Sequence, residues 1–514
     1  MKSPSTALVP GFFEQFRSHP DRPAFGFSDK VYTYGEVMDI VQGILHAMSN
    51  PSFAAERIVA VLATPDVHTY AAILAILASG RAYVPIHPQQ PPERNWSCLE
   101  QAGTHVMLQS GAGSELQRWL GDGRHPIAVV DTTTASDRAE FHQPVATSAK
   151  DLAHLLFTSG STGTPKGVPI YHRNLEAFFK ALLHRDDIDF DGNDRFLQMF
   201  DLTFDLSIMS AFAPMLLGAS SYIPASKGVG YLSVLRALDK ERITVALMVP
   251  SVLAFLEKYF DEIRLPHLRY ALFCGEALPV ALASQWAACV PNARIFNVYG
   301  PTEATIFCTA YEVPKVDGAL LSHLGIVSIG TAMDGTRLLV VNEHGSVANT
   351  GETGELCLAG DQVTDRYWRN PEKTAAAFTE VSENGGRTKV YRTGDVAFER
   401  DGHYYYCGRS DYQVKIAGYR VELGEIEFHA RKMPGVVDAA AVAKKDALGN
   451  YVLRLFIQSR ESVDDEAIAG YRACLGKSLP SYMVPQKIEV LRTFPLNQNG
   501  KIDRKQLAQL VGDV

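Results

Sequence analysis

Leu155-Leu-Phe-Thr-Ser-Gly-Ser-Thr-Gly-Thr-Pro-Lys-Gly-Val168 carries an apolar run into a loop holding Gly160, Gly163 and Gly167, the hydroxyls of Ser159, Ser161 and Thr162, and Lys166. The apolar run reads as a strand. Glycines let backbone N–H groups approach a polyphosphate closely, hydroxyls add donors, and a lysine supplies a mobile positive charge. The loop is not a Walker A motif, which needs Gly before its lysine; Pro165 stands there. From these residues alone two readings stay open, a phosphate cradle or a flexible surface loop of small polar residues.

The flanking sequence sets the fold class. From about Leu8 to Val298, short β-branched runs alternate with helical patterns: Ile58 to Ala63 is a strand with a helix over His68 to Ser79 behind it, and Ala82 to Ile86 is extended again. Val245 to Met248, Tyr270 to Phe273 and Arg294 to Asn297 repeat the rhythm. Such alternation predicts α/β sheets covered by helices, with ligands at the loops beyond the carboxyl ends of the strands. After about residue 330 the texture changes to short strands spaced by Gly and Asp (Arg337 to Val341, Gly354 to Leu358, Val390 to Arg392, His403 to Cys407), a small β-rich subdomain. Beyond Asp411 a helix, two strands, a helix, a strand and a last helix from Asp503 predict a compact α+β unit. The expected division is 1–410, with the β-rich part at about 330–410, and 411–514. Any hinge is short, and Asp411 is its candidate.

Composition narrows the function. With 49 basic and 57 acidic residues the net charge is −8, which argues against a nucleic-acid reader. The seven cysteines are odd in number, scattered and without a C-x-x-C pair, so neither a disulfide framework nor a zinc site is expected. The first ten residues lack the apolar core of a secretory signal. The most apolar stretch, Ala71 to Ala78, falls far short of the ~20 residues of a membrane span. A cytoplasmic protein without membrane insertion is the expectation.

Four further segments join the glycine-rich loop. They are Asn297-Val-Tyr-Gly-Pro-Thr-Glu-Ala-Thr305, Tyr391-Arg-Thr-Gly-Asp395, the run from Gly408 to Glu427, and Pro495-Leu-Asn-Gln-Asn-Gly-Lys-Ile-Asp503. In order and spacing these five resemble the motifs of the adenylate-forming superfamily: acyl-CoA synthetases, luciferases and the adenylation domains of peptide synthetases. The resemblance covers essentially the whole chain. It implies a large domain followed by a small mobile lid, with ATP and Mg²⁺ as cofactors. ATP would be held by Thr158, Ser159, Gly160, Ser161, Thr162, Gly163 and Lys166, by Gly275, Glu276 and Ala277 facing adenine, and by Asn297, Tyr299, Gly300 and Thr302. Asp395 and Arg409 would serve the ribose or phosphate. Glu303 would hold the metal, and Lys501, Thr158 and Glu303 would be catalytic.

Taken singly, these residues have plainer readings. Gly300-Pro301 makes a turn in any protein, Glu303 is otherwise a surface acid, and Gly-Asp at 394–395 is a common turn dipeptide. A lysine after Asn499-Gly500 is usually solvated.

Substrate class turns on Phe204-Asp-Leu-Ser-Ile-Met209. Asp205 matches the aspartate that pairs with the α-amino group in amino-acid activators; otherwise it caps the helix that follows. This segment and Leu272-Phe-Cys-Gly-Glu-Ala-Leu-Pro279 look more like D-alanine–carrier protein ligases than like a typical peptide-synthetase module. The implied pocket wall is Leu206, Met209, Leu247, Leu272, Cys274, Val298, Ile306 and Phe307, all apolar, which suits a small uncharged side chain. No phosphopantetheine-attachment motif is visible, so the expected acceptor is a carrier protein acting in trans. The alternative is an acyl- or aryl-CoA ligase, which Asp205 disfavours. Ala417 departs from the polar residue relatives often carry in the hinge loop.

Overall fold

The computed structural model describes residues 6–121, 125–134, 141–160, 163–224, 230–315, 320–383, 386–410, 413–446, 451–459, 463–495 and 502–510. The chain divides into two compact units. The first comprises Met1–Pro88, Leu99–Leu156 and Gly167–Ser410; the second comprises Gln89–Cys98, Phe157–Lys166 and Asp411–Val514.

The α/β class predicted from the sequence is what forms. In the first unit a nine-stranded sheet runs in the order Thr331–Ala332, Thr309–Val313, Arg294–Tyr299, Tyr270–Phe273, Val245–Met248, Arg195–Leu197, Ser220–Tyr222, Pro23–Gly26, Val31–Thr33. Its middle strands are parallel and its outer pairs antiparallel. Parallel strands need helical crossovers, so both faces are covered and the strands read as continuous apolar runs. A six-stranded sheet follows the order Ala128–Asp131, Val106–Gln109, Ile58–Leu62, Ala82–Ile86, Leu152–Thr158, Lys166–Tyr171. Behind it lies helix Val67–Ala78, buried at every position but His68 and rich in alanine, so that it packs close. Asp66 caps this helix, accepting the Thr69 N–H at 3.1 Å. Among the described residues no helix is long and apolar enough to cross a membrane.

The β-rich part is a five-stranded antiparallel sheet: Thr336–Val341, Gly354–Gly360, Gly386–Arg400 and Phe378–Glu383, with His403–Arg409 on Gly386–Arg400. The short strand expected over Val390 to Arg392 is longer: it runs from Gly386 to Arg400 with Asp395 inside it, because partners on both sides continue the ladder past that residue. Cys357 pairs with Arg392 and Glu355 with Val396, so Thr393, Gly394 and Asp395 bulge out. Gly394, with φ +73°, permits the kink.

In the second unit the hairpin Gln413–Ile416/Tyr419–Glu422 turns at Ala417 and Gly418, both at positive φ. A sheet of Val436–Lys445, Tyr451–Ser459 and Lys487–Leu491 follows. Period-two alternation gives it two cores: Ala439 and Ala441 face Ile426 and Leu475, while Ala440 and Val442 face Leu507.

Candidate functional site

Two strands that the sequence separates by almost a hundred residues meet at Asp395. Its carboxylate is buried, accepting from Arg409 Nη1 through Oδ1 at 2.7 Å and from the Tyr299 hydroxyl through Oδ2. The bulge is pinned as well: Thr393 Oγ1 accepts the Asp395 N–H at 3.0 Å and donates to Leu356 O at 2.7 Å. Burial, reinforced by the Asp395 charge, pushes the Tyr299 phenol well above its usual range, so it stays a donor. An ionised carboxylate has about four acceptor positions, so two such bonds leave capacity for a ligand. Tyr299 itself is buried, with its hydroxyl committed to Asp395.

From Tyr299 the chain enters the loop Gly300 to Phe307. A Cβ on Gly300 would stand 2.4 Å from the Phe307 backbone, so only glycine lets the loop double back this closely. Glu303 is fully buried and accepts from the Tyr367 hydroxyl at 2.7 Å. Thr305 and Ile306 then adopt φ +57° and +76°. Two successive β-branched residues in that region cost of order 1–3 kcal/mol each, and such strain gathers at functional sites. Asn297 donates to Val327 O and Ser328 O at 3.2 and 2.9 Å. Gly275 sits at φ +87°, and the Glu276 carboxylate accepts the Ser251 N–H at 2.8 Å.

The glycine-rich loop belongs to the second unit. There the Gly160 N–H donates to Glu425 Oε2 at 3.2 Å and Lys166 Nζ lies 3.4 Å from Glu422 Oε1. Glu425 also pairs with buried Arg94. Ser159 Oγ donates to Arg420 O at 2.6 Å. Gly163 has φ +77°, and a Cβ there would enter the Phe428 ring. This loop therefore already receives anionic oxygens on a backbone N–H and an ammonium, the contacts a phosphate uses. Thr158 Oγ1 is buried without a partner, a polar atom the protein alone does not satisfy.

Asp205 is 6% exposed. It precedes helix Leu206–Leu217 but has helical φ and ψ and makes no capping bond from its side chain, which removes the plain cap reading. Leu206, Met209, Leu247, Leu272, Cys274, Val298, Ile306 and Phe307 are all buried in one continuous core. Register explains part of the grouping: Leu247 pairs with Leu272, which pairs with Phe296, so Leu247, Leu272, Cys274 and Val298 share one face of the sheet. Ser161, Thr162, Asp411 and Lys501 lie outside the described residues.

Two residues of this region have no sequence signal. Gln362 and Tyr367 bind the strained loop from 55 to 64 residues away, and nothing local marks either as buried.

A family model described as AMP-binding enzyme matches residues 12–368. The chain is 30% identical to D-alanine--D-alanyl carrier protein ligase of Bacillus cereus (strain G9842), covering 95% of this chain and 96% of that protein. It is 31% identical to a part of tyrocidine synthase 3 of Brevibacillus parabrevis, covering 99% of this chain but only 8% of that protein's length. Among solved structures, the Vibrio cholerae adenylation domain AlmE in complex with glycyl-adenosine-5'-phosphate superimposes with a TM-score of 0.83 at 25% identity, covering 98% of each chain. The five ordered motifs, the doubly covered sheets and these matches converge: the chain belongs to the AMP-binding enzyme family.

Proposed function

We propose that the chain activates a small apolar α-amino acid, alanine first, as an aminoacyl-AMP and then passes it to the phosphopantetheine thiol of a separate carrier protein. The observation that carries this reading is Asp205, a buried carboxylate on the edge of an apolar core. There the carboxylate would receive the substrate ammonium, a contact that a carboxylic acid without the amine cannot make. The similarity to a D-alanine--D-alanyl carrier protein ligase over nearly all of both chains, and to an adenylation domain in complex with glycyl-adenosine-5'-phosphate, supports the same substrate class.

In the first step a carboxylate oxygen of the amino acid bonds to the α-phosphorus of ATP, and the bond to the bridging oxygen breaks. Pyrophosphate leaves with that electron pair. No general base is needed, since the carboxylate is already ionised at neutral pH. The loop from Thr158 to Lys166 would hold the phosphates, Asp395 and Arg409 the ribose, Asp205 the ammonium. Among the described residues no cluster of three metal-ligating side chains exists. Magnesium usually takes one or two carboxylates plus substrate phosphates, so Glu303 alone fits it. Bound there, the ion would neutralise phosphate charge. Lys501 would stabilise the charge that develops at the reacting phosphate and carboxylate. In the second step the thiolate bonds to the acyl carbon and AMP leaves.

An amino-acid panel in ATP–pyrophosphate exchange tests the reading. Alanine should lead, with serine, proline and slightly larger aliphatics behind, because a single methylene is worth only about 1–3 kcal/mol of discrimination. Preference for lysine, glutamate or a carboxylic acid without an α-amine would overturn it, the last outcome favouring a CoA ligase.

A further inference from the structure

We propose that Gln362 is a positioning residue: it clamps the left-handed Thr305–Ile306 turn and thereby fixes Glu303 relative to the side-chain wall at Ile306 and Phe307. The proposal rests on the amino-acid reading above. Gln362 is fully buried, and its bonds bracket the strained pair. Its amide Nε2 donates to Phe307 O at 2.9 Å and to Ala304 O at 3.4 Å. Its backbone carbonyl accepts from Thr305 Oγ1 at 2.5 Å, and Oε1 accepts from Thr336 Oγ1 at 3.2 Å. One residue thus holds the loop at 304, 305 and 307.

The following residues grip the other end. The Thr364 N–H donates to Glu303 O at 2.8 Å, and Tyr367 holds the Glu303 carboxylate. Thr364 Oγ1 donates to Pro169 O at 2.6 Å, anchoring the strap. A left-handed Thr-Ile pair does not persist unless its surroundings over-determine it. Gln362 supplies that constraint without being placed to touch substrate.

Gln362→Met keeps the side-chain volume and removes the amide; Thr305→Val keeps the branching and removes one bond. Both are read by pyrophosphate-exchange kinetics and by hydrogen–deuterium exchange. In each, the amino-acid KM should rise and the preference for alanine over valine should shrink by about tenfold, the effect of losing a buried hydrogen bond. The ATP KM should hold within about threefold. Amides of 304–308 should exchange faster, while those of Arg294–Val298 stay protected. A folded Gln362→Met with a lower Tm but unchanged amino-acid KM, discrimination and loop protection would overturn the clamp, as would failure of both variants to fold. If the wild-type protein activates no amino acid, the proposed function fails, and the loop amides still decide the clamp.

Discussion

In the proposed adenylation step Asp205 would hold the substrate ammonium and Lys501 would stabilise the charge that develops at the reacting phosphate. Asp205 is buried beside Leu206 and Met209 of the apolar core, and in the proposed function its carboxylate would meet the substrate ammonium. Breaking a buried pair typically costs about 3–5 kcal/mol, so Asp205→Ala should lower kcat/KM for every amino acid by roughly 10²–10⁴. Retained activity with alanine in pyrophosphate exchange would count against the ammonium role. Lys501→Ala should leave ATP binding intact, measured by calorimetry, and slow adenylate formation by about 10²–10³, the effect of one preorganised charge. A variant within a few-fold of wild type would remove Lys501 from the mechanism. Both residues stand out in the sequence because they sit in motifs with a recognisable local pattern. Gln362 and Tyr367 do not. Their burial is created by partners 55 to 64 residues away, and a polar residue carries no local mark of that fate.

Most elements were legible because their periodicity is strong: the all-buried strand Ile58–Leu62 and the helix Val67–Ala78 are written in continuous apolar runs. The bulge at Thr393 to Asp395 was not, since Gly-Asp reads equally as a turn and only the flanking strands decide. Glycines separate in the same way. Gly300 and Gly470 have opposite environments. A Cβ on Gly300 strikes backbone that cannot yield, whereas Gly470 is exposed on helix Asp465–Ser478 with nothing within 4 Å. Gly300→Ala should therefore destabilise by at least about 2 kcal/mol, as overpacking does. Gly470→Ala should stabilise by roughly 0.5–1 kcal/mol through helix propensity alone. Denaturant midpoints of the two variants should move in opposite directions; a Gly300→Ala midpoint equal to wild type would mean the loop opens more freely than its packing implies.

At the scale of the whole molecule, the chain passes for the last time from the first unit to the second between Ser410 and Asp411. With Asp411 as hinge, Asp411→Pro should spare adenylation more than thiol transfer, because proline fixes φ near −65° and blocks a change of dihedral. Equal loss of both half-reactions in a folded variant would place the hinge elsewhere. Acid stability has a separate origin. His154 lies on Leu152–Thr158, paired in register with Tyr83 and buried without a partner for Nδ1. Burial, helped by nearby His172, pushes it from 6.5 down to about 3. The unfolded chain takes up a proton below pH 6.5, while the folded protein does so only near pH 3. Stability from this residue is therefore full above pH 6.5 and falls as the pH drops through the window from 6.5 to 3. At pH 5 the loss should reach about 2 kcal/mol. His154→Leu binds no proton there, so its urea midpoint should fall less than that of wild type between pH 7.5 and 5. Parallel curves for the two proteins would mean that water or a partner reaches the ring, and that the acid sensitivity lies in other groups.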